Sequence, residues 1–393
     1  MTKKWVNIAD VLFFQEGPGV RNTQYTTSGV KLLNVANLVD GKVDLSKSDR
    51  YISEEEAYGK YRHFLCDDGD FVIASSGIKV EYIDKKMGFV DASMLPLCMN
   101  TSTIRFKVLD ENQLRIRYFM YYLKSKHFKE QLTKQITGSA QLNYGPSHLK
   151  KMIMPLIDIT VQDEIISCMD KLQSIIETRQ RELIELDRLM KARFVEMFSD
   201  CTNMISLSDL CLIITDGTHQ SPKFQHEGIP FILVSNLSKN TVTYDTDKFI
   251  SAETYKELYK RTPIEIGDIL LSTVGSYGHP AVVVEDRKFL FQRHIAYLKP
   301  KSDILNSYYM HGALLSPGCQ RQIEEKVKGI AQKTLNLSEI RKIRIPVPSL
   351  DLQKQYADFV HQVNKSKFDT MTFAPIYAII NLYLHTYFYQ GRR

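Results

Sequence analysis

The residues of this sequence best suited to covalent or metal chemistry are six cysteines and ten histidines. Their spacing gives them little to do. Cys66, Cys98, Cys168, Cys201, Cys211 and Cys319 are scattered, and no two are separated by two residues. Neither a zinc knuckle nor a redox dithiol is spelled out. Thiols used this way are expected to be reduced and mostly core filler. His63, His127, His219 and His279 are dispersed, with no His-Glu-x-x-His run and nothing that points to a catalytic triad. The Gly-x-x-x-x-Gly-Lys loop that cradles phosphates is missing, which excludes ATP-driven work by this chain. Asn-Pro-Pro-Tyr or Asp-Pro-Pro-Tyr, the amino-methyltransferase signature, is missing too, as is a glycine-rich cofactor loop. The expectation is no catalytic residue, no metal and no cofactor of its own.

Composition is ordinary for a globular protein, with 44% hydrophobic and 24% charged residues among 393. That excludes wholesale disorder and collagen-like repeats. Lys plus Arg is 51 against 45 Asp plus Glu, a net charge of +6. So mild an excess permits a polyanionic partner without arguing for one. Met1-Thr2-Lys3-Lys4-Trp5 is not followed by a signal-peptide core. No apolar run reaches the roughly 20 residues that span a bilayer. The chain is expected in the cytoplasm, away from membranes.

What organises the chain is self-similarity. Ile8-Ala9-Asp10-Val11 matches Leu207-Ser208-Asp209-Leu210, and Leu33 to Leu38 matches Ile232 to Leu237. Tyr51-Ile52-Ser53 matches Phe249-Ile250-Ser251, and Gly69-Asp70-Phe71-Val72-Ile73 matches Gly267-Asp268-Ile269-Leu270-Leu271. Gly138-Ser139-Ala140-Gln141 matches Gly329-Ile330-Ala331-Gln332, and Ser147 to Lys151 matches Ser338 to Lys342. Pro155 and Gln162 match Pro346 and Gln353. The order never changes. A period of roughly 195 residues is too long for a solenoid and means two copies of one module. Loops diverge where framework does not: Glu16 to Asn22 faces Asp216 to Pro222. Phe71 to Ala74, Ile269 to Ser272 and Ala281 to Val284 read as strands, while Tyr118 to Ile136 and Tyr308 to Val327 carry helical periodicity. Each module is therefore α+β.

Residues 162–198 differ from both modules. Ile165, Met169, Leu172, Ile176, Arg179, Leu183, Leu186, Met190, Arg193 and Met197 step by four and three, with charges between them and no Gly or Pro. This is a coiled-coil seam. At 1.5 Å per residue the helix extends roughly 55 Å, and its stripe needs a partner. Tyr356, Val360 and Val363 stand at the repeat equivalents of Ile165, Met169 and Leu172 and supply one. Two long antiparallel helices are expected, in preference to a helix packed only on its own module. The expected division is 1–160, first module; 161–200, first long helix; 201–351, second module; and 352–393, second long helix with an atypical tail.

Two diverged modules, each followed by a heptad helix, resemble the specificity subunit of type I restriction–modification systems. The residues behind the resemblance are Gly138 to Gln141 with Asn143, Leu149 to Pro155 and Gln162. In the second copy they are Gly329 to Gln332 with Asn336, Ile340 to Pro346, Pro348 and Gln353. Each motif is short; the duplicated order is specific, and it covers residues 1 to about 368. The resemblance implies two homologous target recognition domains joined by long antiparallel coiled-coil spacer helices. Each domain would read one half of an asymmetric bipartite site on double-stranded DNA. The helices would dock methyltransferase subunits, and a restriction/translocase subunit would join them. S-adenosylmethionine, ATP and magnesium are expected only on those partners. Half-sites one helical turn apart, roughly 34–36 Å, are within reach of such a spacer.

On that resemblance, Lys and Arg should meet phosphates, while Arg, Asn and Gln should meet base edges. Candidates in the first module are Arg21, Asn22 and Gln24, the Ser75-Ser76-Gly77 turn with Lys79, and Gln141 with Asn143 and Tyr144. In the second they are Thr218, His219, Gln220 and Lys223, the turn from Thr273 through Ser276 to Tyr277, and Gln332 with Lys333. The alternative is that these loops are solvated turns and that Gln141 and Gln332 cap the next helix.

The second helix departs from its counterpart. Residues 371–391 contain no Asp, Glu, Lys or Arg, and Pro375 breaks a helix continuing from 356. The tail is a different helix packed on the first spacer, a membrane-associating segment, or the product of a frame change or recombination. The last is preferred, and it makes loss of 370–393 inexpensive for assembly. Rival readings of the whole are a single-chain restriction–methylation enzyme fragment and a silent specificity variant that assembles with nothing.

Overall fold

The computed structural model describes residues 3–136, 143–329 and 333–370, with backbone alone at 368–370, and 379, 380, 382, 384 and 386–388 of the C-terminal segment. The Gly138 to Gln141 motif and Ile330 to Gln332 lie outside the described residues. Contacts divide the chain into two units, Met1–Thr178 with Phe373–Arg393, and Arg179–Thr372.

In the first unit a Gly-Asp turn launches the strand Phe71-Val72-Ile73-Ala74, whose four residues are all fully buried. An apolar run with no alternation has to be covered on both faces. The strands of this sheet are β1 (Leu12–Glu16), β2 (Phe71–Ala74), β3 (Met87–Phe89) and β4 (Thr103–Val108), in the order β1-β4-β2-β3 and antiparallel throughout. Helices α1 (Ile116–Lys124) and α2 (Lys126–Gln135) follow. The expected single helix from Tyr118 to Ile136 is thus two. Ser125 is extended, and its hydroxyl accepts the Phe128 N–H, which ends one helix and starts the next. The core between helices and sheet is aromatic, with Phe106 and Phe119 ring centres 5.0 Å apart and Phe71 and Phe89 4.9 Å apart.

The long helix α3 (Ile159–Phe198) has 40 residues and no Gly or Pro. Its first part buries Ile165 and Met169 in the first unit's core, with Leu172 packed against it, and Ile176 is buried further along. Four described tail residues join the same core: Leu384 and Phe388 are buried there, Ile380 and Tyr387 pack against it, and the Phe388 ring lies 5.2 Å from Tyr118 and 5.5 Å from Tyr122. These residues share that core with Ile165 and Met169 of the long helix. Loss of 370–393 would remove Leu384 and Phe388 from that core.

The second unit repeats the plan. Strands β5 (Cys211–Asp216), β6 (Ile269–Ser272), β7 (Pro280–Val282) and β8 (Ile295–Pro300) run in the order β5-β8-β6-β7. The strand expected over Ala281 to Val284 stops at Val282, and Val284 is exposed. Helices α4 (Ser307–Leu315) and α5 (Pro317–Lys326) are again separated by an extended serine, Ser316, whose hydroxyl accepts the Cys319 N–H. Smaller sheets repeat as well. Val30–Leu33 pairs antiparallel with Tyr51–Ile52 and parallel with Leu97–Met99; Ile229–Ile232 does the same with Phe249–Ile250 and Leu290–Phe291.

Helix α6 (Leu350–Thr370) runs back along the end of α3 within this unit. Tyr356 Oη donates to the Met190 carbonyl at 3.3 Å, and Lys367 pairs with Asp187. Tyr356, Val360 and Val363 are buried, and Leu183, Leu186 and Met190 are partly so. At the end of α3 the heptad register fails. Phe194 and Phe198 are buried in place of the expected Arg193 and Met197, which are only partly covered. Here the helix packs on a globular core at its own 3.6-residue period, and a seven-residue seam drifts off that line. Phe198 meets Tyr309 edge-on at 4.9 Å, and Phe194 meets Tyr356 at 5.3 Å.

Candidate nucleic-acid interface

Both units build the same edge from the same backbone contacts. After the buried strand β2, the Ser75 carbonyl accepts the Tyr144 N–H at 3.0 Å, and Ser76 bridges Asn143. After β6, the Thr273 carbonyl accepts the Leu335 N–H at 2.8 Å, Val274 bridges Thr334, and Gly275 N–H reaches the Lys333 carbonyl at 3.1 Å. Gly77 and Gly275 take the left-handed conformation that turns each loop, with φ of 73° and 71°. Sequence-distant candidates thus come together: Ser76, Lys79 and Asn143 in the first unit, and Ser276, Tyr277 and Lys333 in the second. Asn143, Lys79, Ser276 and Lys333 are exposed. Lys333 Nζ stands 6.0 Å from the centre of the Tyr277 ring.

Two candidates on this edge point inward. Tyr144 is 2% exposed and its hydroxyl donates to the Ala74 carbonyl at 3.1 Å, so it anchors the turn and reads nothing. Its equivalent, Leu335, is a core residue. Thr273 is buried as well and acts through its backbone. Gln141 and Gln332 lie outside the described residues.

The second loop pair follows β1 and β5. Gly17 sits against the Asn100 backbone and Gly217 against the backbone of Phe291 and Gln292, where a β-carbon would overlap those carbonyls. This close approach fixes where each loop leaves the sheet. In the first unit Arg21 and Asn22 are exposed. Gln24 is not free to read a base. Its Oε1 accepts the Arg21 N–H at 3.0 Å and its Nε2 donates to Glu56 and to Tyr61, so it holds the loop in shape. In the second unit Thr218 is locked by backbone bonds to Phe291 and Arg293. His219 Nε2 lies 2.9 Å from Asp216, which also pairs with Arg261; Gln220 and Lys223 are exposed.

Sequence reasoning missed several residues beside these loops. Arg50, 5.3 Å from the Tyr25 ring, and the exposed Arg293 sit at strand ends brought there by pairing alone. Tyr82 and Lys85 follow the Lys79 turn and belong to no repeated motif, so nothing in the duplication set them apart.

Burial pushes the thiols of Cys66, Cys98, Cys211 and Cys319 up to about 12, which keeps them protonated at neutral pH. Among the described residues no group of three His, Cys, Asp or Glu is placed to hold a metal. No helix among them is long and apolar enough to cross a membrane.

The family model for the type I restriction modification DNA specificity domain matches residues 18–188 and again 201–375. The chain is 31% identical over 137 residues to the type I restriction enzyme EcoBI specificity subunit of Escherichia coli, covering 35% of this chain and 29% of that protein. It is 22% identical over 190 residues to the MjaVIII specificity subunit of Methanocaldococcus jannaschii, covering 47% of this chain and 43% of the other. The matches thus span less than half the length of either relative. Two solved structures share the fold at 16% identity. One is the type I restriction–modification S subunit from M. genitalium, with TM-score 0.50 over 100% of this chain and 97% of that one. The other comes from work on complex assembly and conformational transition of the type I R-M system, with TM-score 0.54 over 98% and 97%.

Proposed function

The chain belongs to the family of the type I restriction modification DNA specificity domain, and on that premise we propose that it is the DNA-reading subunit of a type I restriction–modification assembly. Each unit reads one half of an asymmetric bipartite site on double-stranded DNA. The observation behind this reading is the repeated edge. One backbone framework, Ser76 beside Asn143 and Val274 beside Thr334, presents different side chains in the two units. A scaffold kept constant while its exposed residues diverge suits two related sites of unlike sequence. Two identical modules would instead favour a palindrome.

The chain supplies recognition, and catalysis belongs to its partners. Methyltransferase subunits dock on the helices, and a restriction/translocase subunit completes the assembly. S-adenosylmethionine, ATP and magnesium bind to those subunits. The seam residues, from Ile165, Met169, Leu172 and Ile176 through Leu183, Leu186 and Met190 to Tyr356, Val360 and Val363, set the helices that receive them. Residues 1–160 and 201–351 are the two recognition domains, 161–200 and 352–393 the helical segments that follow them, and the site of action is the cytoplasm.

The test is co-expression with a methyltransferase subunit, followed by mapping of methylated positions on a genome. One asymmetric bipartite motif is expected. Exchanging the exposed residues of one unit should change one half of that motif and spare the other. Methylation that does not depend on this chain, or a palindromic motif, would overturn the reading.

A further inference from the structure

We propose that the turn Val80–Lys85 of the first unit is a duplex-DNA contact with no counterpart in the second, placing Lys79 and Lys85 on backbone phosphates and the Tyr82 ring against a sugar or base. It rests on the reading that this chain binds DNA, and it concerns which residues supply the affinity.

The connection from β2 to β3 and that from β6 to β7 start alike, with Gly77 and Gly275 in the same conformation. They then diverge in length. The second runs only from Thr273 to His279, whereas the first runs from Ser75 to Lys86 and includes the turn.

The inserted turn is anchored and not loose. Ile83 is fully buried in the core of the unit. Lys129 Nζ bonds to Asp84 Oδ1 and to the Glu81 carbonyl, each at 3.1 Å. The N–H of Gly41, in the neighbouring hairpin turn, donates to the Lys85 carbonyl at 3.2 Å, and the Ala74 N–H donates to the Lys86 carbonyl at 2.8 Å.

On this held backbone Tyr82 stays 50% exposed. A fixed turn that buries Ile83 and leaves the adjacent aromatic in water presents a ring for something else to cover. Lys85 Nζ lies 5.7 Å from the centre of that ring. Together with Lys79, Lys86 and Ile78 they line an open groove of about 440 Å³, whose one carboxylate is Asp40. Lysines around an aromatic platform match a phosphodiester strand, with cations for the phosphates and a face for the ring or sugar. The groove also adjoins the Ser76–Asn143 edge, where the exposed Asn143 is a candidate reader of bases.

The test measures affinity of the full chain for a fluorescent random-sequence duplex between about 50 and 200 mM salt. The variants are K79Q/K85Q, Y82A and Y82F, each checked for an unchanged melting temperature. The lysine pair should lower the salt slope by about two, one per phosphate contact. Y82A should weaken binding about tenfold at every salt concentration, and Y82F should restore it. An unchanged slope in K79Q/K85Q, or a Y82A variant as tight as the parent, would overturn the proposal. If the parent chain itself does not bind the duplex, the broader DNA-binding reading fails instead. An acidic polypeptide that displaces the duplex from the parent but not from K79Q/K85Q would make the groove a protein-docking site and also overturn the proposal.

Discussion

The side-chain oxygen of Gln162 accepts the backbone N–H of Arg115 at 2.9 Å, and Gln353 does the same for Asn306 at 2.8 Å. Both glutamines are fully buried, and each spends its amide group on two carbonyls, Gln113 and Ile157 in the first unit, Ile304 and Pro348 in the second. Each ties the start of a long helix to the start of the helix pair that roofs its sheet. Replacing Gln162 or Gln353 with Leu leaves buried backbone groups unpaired. The expected loss is about 2–4 kcal/mol, read as a lower denaturant midpoint for the altered unit.

The tail is a second point of attack. Phe388 sits among Tyr118, Tyr122 and the first part of α3. Phe388→Ala should cost about 3 kcal/mol through the cavity left behind. Limited proteolysis should then cut the first unit sooner while sparing the second. A variant as stable as the parent would mean that the tail adds nothing to this core.

Gly17→Ala and Gly217→Ala test the loop take-off points. A β-carbon there would overlap the carbonyls of Asn100 or Phe291, so the strand end must shift. Each variant is expected to lose several-fold in DNA affinity. In the assembled methyltransferase, each should degrade only its own half of the recognition motif. Methylation mapping reads this directly.

Acid should destabilise the second unit. Burial lowers the pKa of His279, His294 and His311 from the ordinary 6.5, with Arg293 adding to the effect at His294. His311 Nε2 sits 3.0 Å from the Asn240 carbonyl and 3.2 Å from that of Pro280, which pull its pKa back up, with Lys367 and Asp187 nearby. As pH falls through about 6.5, the unfolded chain takes up these protons before the folded one. Stability is therefore full above that value and falls below it. Urea midpoints at about pH 7.5 and 5.5 should differ, and His311→Gln should reduce the difference.

The sequence alone was enough for whatever depends on local pattern or on duplication. The buried strands at Phe71 and Ile269, the Gly-Asp starts and the α3 stripe follow from hydrophobic run and period, which one chain segment contains in full. The copy number follows from order along the chain. Whole-chain charge says little about any one surface, because charges such as Asp70 and Asp268 are spent inside the framework on Arg105, Lys107 and Lys299. Tertiary pairing decided the rest. Asn143 and Tyr144 are adjacent and both polar, yet one faces solvent and the other fills the core, because Ser75 fixes the register of that segment. Gln24 resembles a reader until Glu56 and Tyr61 are brought beside it. The uncharged tail gave no sign of its place, since the aromatic residues that receive Phe388 lie far away in sequence.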